Sequence, residues 1–464
     1  MDFERPFRRW YAGAEEAMTG MRTHRPERSV LMVGYYYTPT ENPGTRRLGA
    51  FARYLPQYGY RPVVLTTSSY GACADDDARL IFRAPDILDV GRWLARRVYC
   101  ARSVDLGDRL SPMITPDSRL SRVLEHVLIP DIHIGWVPGA VLRGRALLRS
   151  GAFGVIFSSS PPPSAHLAAL ALKRMSGLPW VADFRDGWTF EPPNPVMFTS
   201  PARLRIERTL ERAVVLSADR IVTVNRVIAD DLRRRYPATA GRIAVISNGY
   251  DSADIAGLQS YVKGARLRII HTGSLAYSRS QTTINGFLAA LDRLHQQQSP
   301  VLADLDVCFV GRLSASERDM LTRTGCQGCV TVEGPLSHRE ALQRQFSADV
   351  LLLVTSASAA SVTTSKLFEY LASGRPVLAL TGRSAAAELI EELDAGIVVA
   401  PDDVEGICRA LEWFHERWRL NELPTRVDPR VQRFDRRSLT GDLARIFDTL
   451  VEVKTKEELS CNTC

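Results

Sequence analysis

Val362-Thr363-Thr364-Ser365-Lys366-Leu367-Phe368-Glu369-Tyr370-Leu371-Ala372-Ser373-Gly374-Arg375-Pro376-Val377-Leu378-Ala379 reads as a helix that feeds a buried strand. Thr363, Thr364 and Ser365 open the helix, Gly374 stops it, and Pro376 introduces a short apolar run. Lys366 and Glu369 fall three residues apart on one face of the helix. Small hydroxyls and a lysine in a first helical turn suit a diphosphate, and a carboxylate one turn deeper suits two ribose hydroxyls. A plain surface ion pair uses the same spacing and stays open as the alternative.

The same alternation runs through most of the chain. Short apolar runs near Val30–Val33, Val63–Thr66, Val155–Ser158, Trp180–Ala182, Ile221–Val224 and Ile243–Ile246 are each followed or preceded by a helical pattern. A second series has runs at Leu267–Ile270, Val307–Val310, Val330–Val332, Val350–Val354, Val377–Leu380 and Ile397–Val399. Strands alternating with helices predict an α/β chain with parallel sheets, here in two Rossmann-like, doubly wound domains. Asn248-Gly249-Tyr250-Asp251 and the polar stretch to Arg266 have the composition of a turn and linker between the series. The predicted organisation is an N-terminal extension over 1–28, a first domain over 29–255, a second over 256–428, and a C-terminal helix and tail over 429–464. The helix, about Ser438 to Val451, is expected to pack back on the first domain. Residues 84–135, rich in Arg, Asp and Pro, read as an insertion over a rim.

The chain has 464 residues, 45% hydrophobic and 24% charged, enough for two or three domains with their own cores. It has no apolar run long enough to span a bilayer and no signal-peptide core near its start, which predicts a cytoplasmic protein. Its eight cysteines are too sparse for a disulfide scaffold, so reduced thiols are expected. Cys326-Gln-Gly-Cys329 and Cys461-Asn-Thr-Cys464 have zinc-ligand spacing, but one lies in a short connection and the other at the terminus, so no metal site is expected. Residues 1–255 hold 35 Lys+Arg against 26 Asp+Glu, and the remainder 24 against 26. The basic first half, with Arg8–Trp10 and Arg92–Arg97, is compatible with an anionic, phosphate-bearing partner or peripheral contact with the inner membrane face. Ordinary solvated helix faces give the same pattern. No nucleic-acid-binding motif occurs.

Three strand ends in the first half carry polar groups. Gly34-Tyr35-Tyr36-Tyr37-Thr38-Pro39 leads through Gly44-Thr45-Arg46-Arg47 into a helix, whose free amides suit phosphate or polarised hydroxyls; a tight turn needing Gly44 at positive φ is the alternative. Phe157 to His166 leaves a second strand, and His166 either orients a sugar hydroxyl or caps its helix. Trp180-Val181-Ala182-Asp183-Phe184-Arg185-Asp186-Gly187-Trp188 leaves a third. Charge directly after a buried strand is costly unless paired or used, so Asp183, Arg185 and Asp186 either brace the loop or take part in chemistry.

Taken in order, these pieces resemble glycosyltransferase family 4, a retaining family with two Rossmann-like domains facing across a cleft (the GT-B fold), and especially its branch with an Asp-Phe-Arg-Asp motif. The resemblance spans roughly residues 29–450. It also includes Ile246-Ser247-Asn248-Gly249-Tyr250-Asp251, His271-Thr272-Gly273-Ser274-Leu275 and Phe309-Val310-Gly311. It implies a nucleotide-sugar donor as co-substrate, no other cofactor and no metal. Glu369 would then hold the ribose, and Thr363, Thr364, Ser365, Lys366 and Leu367 would lie near the phosphates. Gly44, Thr45 and Arg47 would lie close to the transferred sugar. Gly273, Ser274 and Arg279 would face the diphosphate, with Gly311 beside them and Pro335 and Leu336 bordering the base. Asp183, Arg185, Asp186 and His166 would orient the sugar or its acceptor, which could be a surface glycan, a lipid-linked sugar or a small molecule.

Two departures stand out: the first of the family's two glutamates falls on Ser361, and the usual arginine after the second-domain glycine is Ser274, leaving Arg279 or Lys366 to supply the charge. A nucleotide-sugar epimerase or hydrolase, or a non-catalytic nucleotide-binding scaffold of the same fold, are the rival readings.

Overall fold

A computed structural model of the chain describes residues 28–40, 43–89, 126–191, 197, 200–259, 261–273, 275, 284–311, 313, 315–322, 328–355 and 360–461. Ser274, Arg279, Arg8–Trp10, Arg92–Arg97 and most of the 84–135 stretch lie outside the described residues. Two compact units emerge. The first takes the described residues up to Thr223, then Asp231–Ala244 and the chain from Thr440; the second takes Val224–Asp230 and Val245–Leu439.

The first unit is built on β1 (Arg28–Val33), β2 (Tyr60–Thr67), β3 (Ile81–Ala84), β4 (Phe153–Ser160), β5 (Trp180–Phe184), β6 (Arg220–Thr223) and β7 (Ile243–Val245). They form one sheet in the order β3-β2-β1-β4-β5-β6-β7. The pairings from β3 across to β6 are all parallel. Helices α1 (Pro43–Tyr54), α2 (Trp136–Ser150), α3 (Ser164–Ser176), α4 (Pro201–Ser217) and α5 (Arg226–Arg235) connect these strands. Val30, Leu31, Met32 and Val33 are all buried, as are Val155, Ile156 and Phe157, so both faces of the central strands are covered. Strand β3 had no counterpart in the sequence reading. Ile81-Phe82-Arg83-Ala84 is an edge strand, paired on one side only, and lacks the continuous apolar run of its neighbours.

The second unit has β8 (Leu267–Thr272), β9 (Leu305–Val310), β10 (Val330–Glu333), β11 (Val350–Val354), β12 (Val377–Leu380) and β13 (Gly396–Val399), ordered β10-β9-β8-β11-β12-β13. All pairings are parallel. Its helices are α6 (Ser252–Ile255), α7 (Ile284–Gln296), α8 (Ala315–Thr322), α9 (His338–Phe346), α10 (Ser365–Ser373), α11 (Ala385–Glu392) and α12 (Val404–Leu420). Alternate residues of β11 separate the two faces. Val350, Leu352 and Val354 pack with Phe287 and Leu291 of α7 and Leu411 and Phe414 of α12, while Leu351 and Leu353 pack with Leu367, Phe368 and Leu371 of α10.

In each sheet the first strand lies between the second and the fourth, so successive crossovers leave it in opposite directions. This is the topological switch point, where the carboxyl ends of strands are left open for a ligand.

Three features differ from the sequence reading. Asn248–Asp251 is packed as well as turned: Tyr250 is buried in the second core, the Asp251 carboxylate accepts from the Ala253 amide, and a methyl on Gly249 would come within 2.1 Å of the Phe434 carbonyl. Cys329 is disulfide-bonded, against the expectation of reduced thiols, while Cys73, Cys308 and Cys408 are free. The last helix, α13 (Arg436–Cys461), extends beyond the predicted Ser438–Val451 at both ends.

Part of α13 belongs to the first unit. Phe447 is fully buried there, edge-on to Tyr60 at 5.4 Å and Phe157 at 6.1 Å, and the Tyr60 hydroxyl donates to Asp448 at 2.7 Å. Removing a buried phenyl ring costs roughly 3–5 kcal/mol. Phe447→Ala is therefore expected to lower the stability of the first unit by about that amount, read as a shift of its transition to lower urea concentration, and an unchanged midpoint would show the helix contact to be dispensable.

Candidate active site

In the first unit, the open carboxyl ends of β1, β4 and β5 bring the motif residues together. A methyl on Gly44, in the first turn of α1, would lie 2.6 Å from Arg185 Nη2. Gly44 is not among the glycines at positive φ, so the requirement is close approach of the guanidinium and not a turn. Arg185 in turn donates from Nε to the Ser160 carbonyl at 2.8 Å and from Nη2 to the Pro161 carbonyl at 2.9 Å. Its burial, opposed by Asp186 and Asp183, moves its pKa down. Beneath it Arg47 grips Asp183 with two bonds, Nε to Oδ2 at 3.1 Å and Nη2 to Oδ1 at 2.8 Å, and the Ser159 hydroxyl donates to Oδ2 at 2.8 Å. The Arg47 and Asp183 side chains are 5% and 0% exposed. Thr45 adds a hydroxyl 3.1 Å from that of Thr40.

His166 corrects both readings made of it. It is fully buried, its Nδ1 lies 2.8 Å from the Ser158 hydroxyl, and its ring stands 4.6 Å from Phe184. It neither caps α3 nor presents a surface to a sugar. Burial pushes its pKa down to about 3, so it is a neutral support beneath the edge. Asp183 is likewise turned inward, whereas Arg185 and Asp186 keep partial exposure.

In the second unit, Gly273 follows β8 at φ +98°, and a methyl there would lie 3.0 Å from Lys366 Nζ. A methyl on Gly311, at the end of β9, would lie 2.7 Å from the Gly273 carbonyl oxygen, so two backbones meet where only glycines fit. Lys366 is half-buried; desolvation, partly offset by Glu369, brings its pKa down to about 8. Glu369 is 6% exposed, which removes the surface-pair alternative. Its Oε2 accepts from Gln345 Nε2 at 3.0 Å, and the same Nε2 reaches the Thr272 hydroxyl at 3.0 Å. Thr364 caps α10 by backbone alone, and its buried hydroxyl has no hydrogen-bond partner. Asn225 donates to the Ser361 carbonyl at 2.6 Å and to the Thr363 hydroxyl at 3.0 Å, and Asn248 donates to the Thr363 carbonyl at 3.2 Å. Ser361, standing where a glutamate was expected, is buried and held through its backbone. Ser365 and Leu367 lie in the first turn of α10; Pro335 is exposed and Leu336 half-buried in the segment after β10.

Several supporting residues gave no local signal. Gln345 lies in the last turn of α9, where no local pattern marks it. Tyr36 places its hydroxyl 2.7 Å from Nε2 of His133, a histidine held neutral by burial, and His133 lies far along the chain. Trp188 donates to Glu207 at 2.8 Å and the Thr189 hydroxyl to Glu211 at 2.5 Å, which ties the Asp-Phe-Arg-Asp loop to α4. Among the described residues, Cys73, Asp75 and Asp76 come close enough to share a metal ion, but Asp75 is paired with Arg79 and Asp76 with Arg83.

A family model for Glycosyltransferase Family 4 matches residues 44–254, and one for Glycosyl transferases group 1 matches residues 266–417. No curated protein matches the sequence. Similar solved structures include a glycosyltransferase from Rickettsia africae (11% identity, 92% of this chain and 99% of that one, TM-score 0.59). The Anabaena protein Alr3699/HepE, solved with UDP and glucose, is similar at 15% identity over 91% of this chain and 100% of that one, TM-score 0.57. A trehalose 6-phosphate synthase from Burkholderia multivorans is similar at 12% identity over 94% and 99%, TM-score 0.59. Two consecutive family matches on two parallel sheets of the same strand order make this chain a glycosyltransferase of the GT-B fold, in the family 4-like group.

Proposed function

We propose that the chain transfers a sugar from a nucleoside diphosphate to a hydroxyl or amine of an acceptor, with retention of anomeric configuration and without a metal ion. The observation that carries this reading is Lys366. Its half-buried ammonium lies against a glycine that leaves it room, at the N-terminus of a helix whose cap hydroxyl is unengaged. An ammonium, free amides and a hydroxyl converging on one point suit a diphosphate. The similar Anabaena protein binds UDP, which supports the same class of donor here.

In the reaction the bond from the anomeric carbon to the diphosphate oxygen breaks, and the acceptor oxygen or nitrogen bonds to that carbon from the same face. Its proton passes to the departing phosphate oxygen. The barrier is mainly charge separation, so cations held ready for the diphosphate lower it electrostatically. Arg185 and Asp186 orient the sugar or acceptor; Asp183 and His166 act behind them, through Arg47 and Ser158. The acceptor is a surface glycan, a lipid-linked sugar or a small molecule. No described helix is long and apolar enough to cross a membrane, and the basic first half supports peripheral contact with the inner membrane face from the cytoplasm.

Calorimetry with UDP, GDP, ADP and dTDP tests the donor site. One diphosphate is expected to bind, and Glu369→Ala to weaken it by about tenfold or more through loss of a carboxylate bond to ribose; a folded protein that binds none of the four would overturn the reading. Lys366 is charged below its pKa of about 8, so affinity for that diphosphate should hold from pH 6 to about 8 and fall above it. Lys366→Ala should bind weakly with a flatter profile, and an unchanged slope in that variant would remove Lys366 from the site. Arg185→Ala should lower turnover by about 100-fold while leaving the diphosphate Kd nearly unchanged; steady-state kinetics beside calorimetry separates this from loss of donor binding.

A further inference from the structure

Helix α9 presents a second polar side chain to Glu369. The helix opens with a reciprocal cap, in which the Ser337 hydroxyl accepts from the Glu340 amide and the Glu340 carboxylate accepts from the Ser337 amide at 2.8 Å. That box fixes the first turn. It therefore fixes His338, the first residue of the helix, and Gln345 follows seven residues on, along the same face. Gln345 holds Glu369 Oε2. His338 Nε2 lies 3.8 Å from the other oxygen, Oε1, and 3.4 Å from Asp254 Oδ2, with the imidazole 26% exposed.

A separation of 3.8 Å is too long for a direct hydrogen bond, yet it lets one hydroxyl oxygen sit about 2.8 Å from both atoms. Such a hydroxyl would donate to Glu369 Oε1 and accept from His338 Nε2–H. Two carboxylates facing Nε2 favour the tautomer that carries its hydrogen there. Beside the same carboxylate, Gln345 Oε1 is buried with no hydrogen-bond partner.

We propose that His338 determines donor specificity at the nucleoside: together with Glu369 it brackets one ribose hydroxyl, so the chain distinguishes ribonucleoside diphosphates from analogues lacking that hydroxyl. This rests on the assignment of Glu369 to the ribose. A site built around a hydroxyl binds the analogue without it more weakly, because the hydrogen bonds made to that hydroxyl are lost.

The test is a calorimetric cycle with UDP, 2′-deoxy-UDP and 3′-deoxy-UDP, or the same trio for whichever base the nucleotide screen selects. Wild type is expected to bind one deoxy analogue at least tenfold more weakly than the ribonucleotide. In His338→Ala, with its Tm unchanged, the ribonucleotide should weaken and that penalty should shrink by about threefold or more, toward the share that Glu369 alone supplies. His338→Gln, which keeps an N–H donor, should restore part of the discrimination. A penalty equal in wild type and His338→Ala for both analogues would overturn the role of His338 while leaving the donor site intact. Failure of wild type to bind any ribonucleotide would overturn the donor site itself and this inference with it.

Discussion

A parallel sheet covered by helices on both faces leaves little room for chemistry along its strands. In both units the side chains of the central strands are buried in one helical layer or the other. What stays open is the row of strand carboxyl ends, and it is widest where two crossovers part in opposite directions. The shared strand order puts that point between β1 and β4 in the first unit and between β8 and β11 in the second. Gly34 and Pro161 follow the first pair of strands, and Gly273 and the segment leading to α10 follow the second. The candidate residues gather there, at the strand ends that this topology leaves uncovered.

The two edges use charge in different ways. The first buries a complete ion pair, Arg47 with Asp183, and completes it with the Ser159 hydroxyl. An isolated buried charge would be very costly, and this one is matched in both geometry and sign. It forms a rigid base for Arg185, whose guanidinium is held by two carbonyls close over Gly44. The second edge leaves its lysine only half-buried and opposes it with a carboxylate fixed by a neutral amide. That cation is partly desolvated and has room beside it, which makes it the more responsive of the two to an incoming anion. This contrast underlies the proposed division, in which one edge orients groups and the other binds a diphosphate.

Much of this was legible from local pattern. The strands of both series appear because a strand buried on both faces must be apolar at nearly every position, as Val350 to Val354 is. Edge strand β3 escaped the reading because pairing on one side relaxes that demand. Of the site residues, Gly273, Lys366 and Glu369 stood out because they combine an unusual residue type with a fixed place at a strand end or helix start. Gln345, Asn225 and His133 did not, since an amide or imidazole on an ordinary helix or loop has no local signature.

By itself the sequence determined the α/β class, the two series of strands, the position of α10 and the family. Those properties follow from short-range periodicity and from residues within a few positions of one another. Only the tertiary structure decided that Gly44 makes room for Arg185, that His166 and Asp183 face inward, and that His338 and Gln345 flank the two oxygens of Glu369. These facts join residues tens to more than a hundred positions apart, and such pairs meet only once packing and backbone hydrogen bonding have fixed the order of the strands.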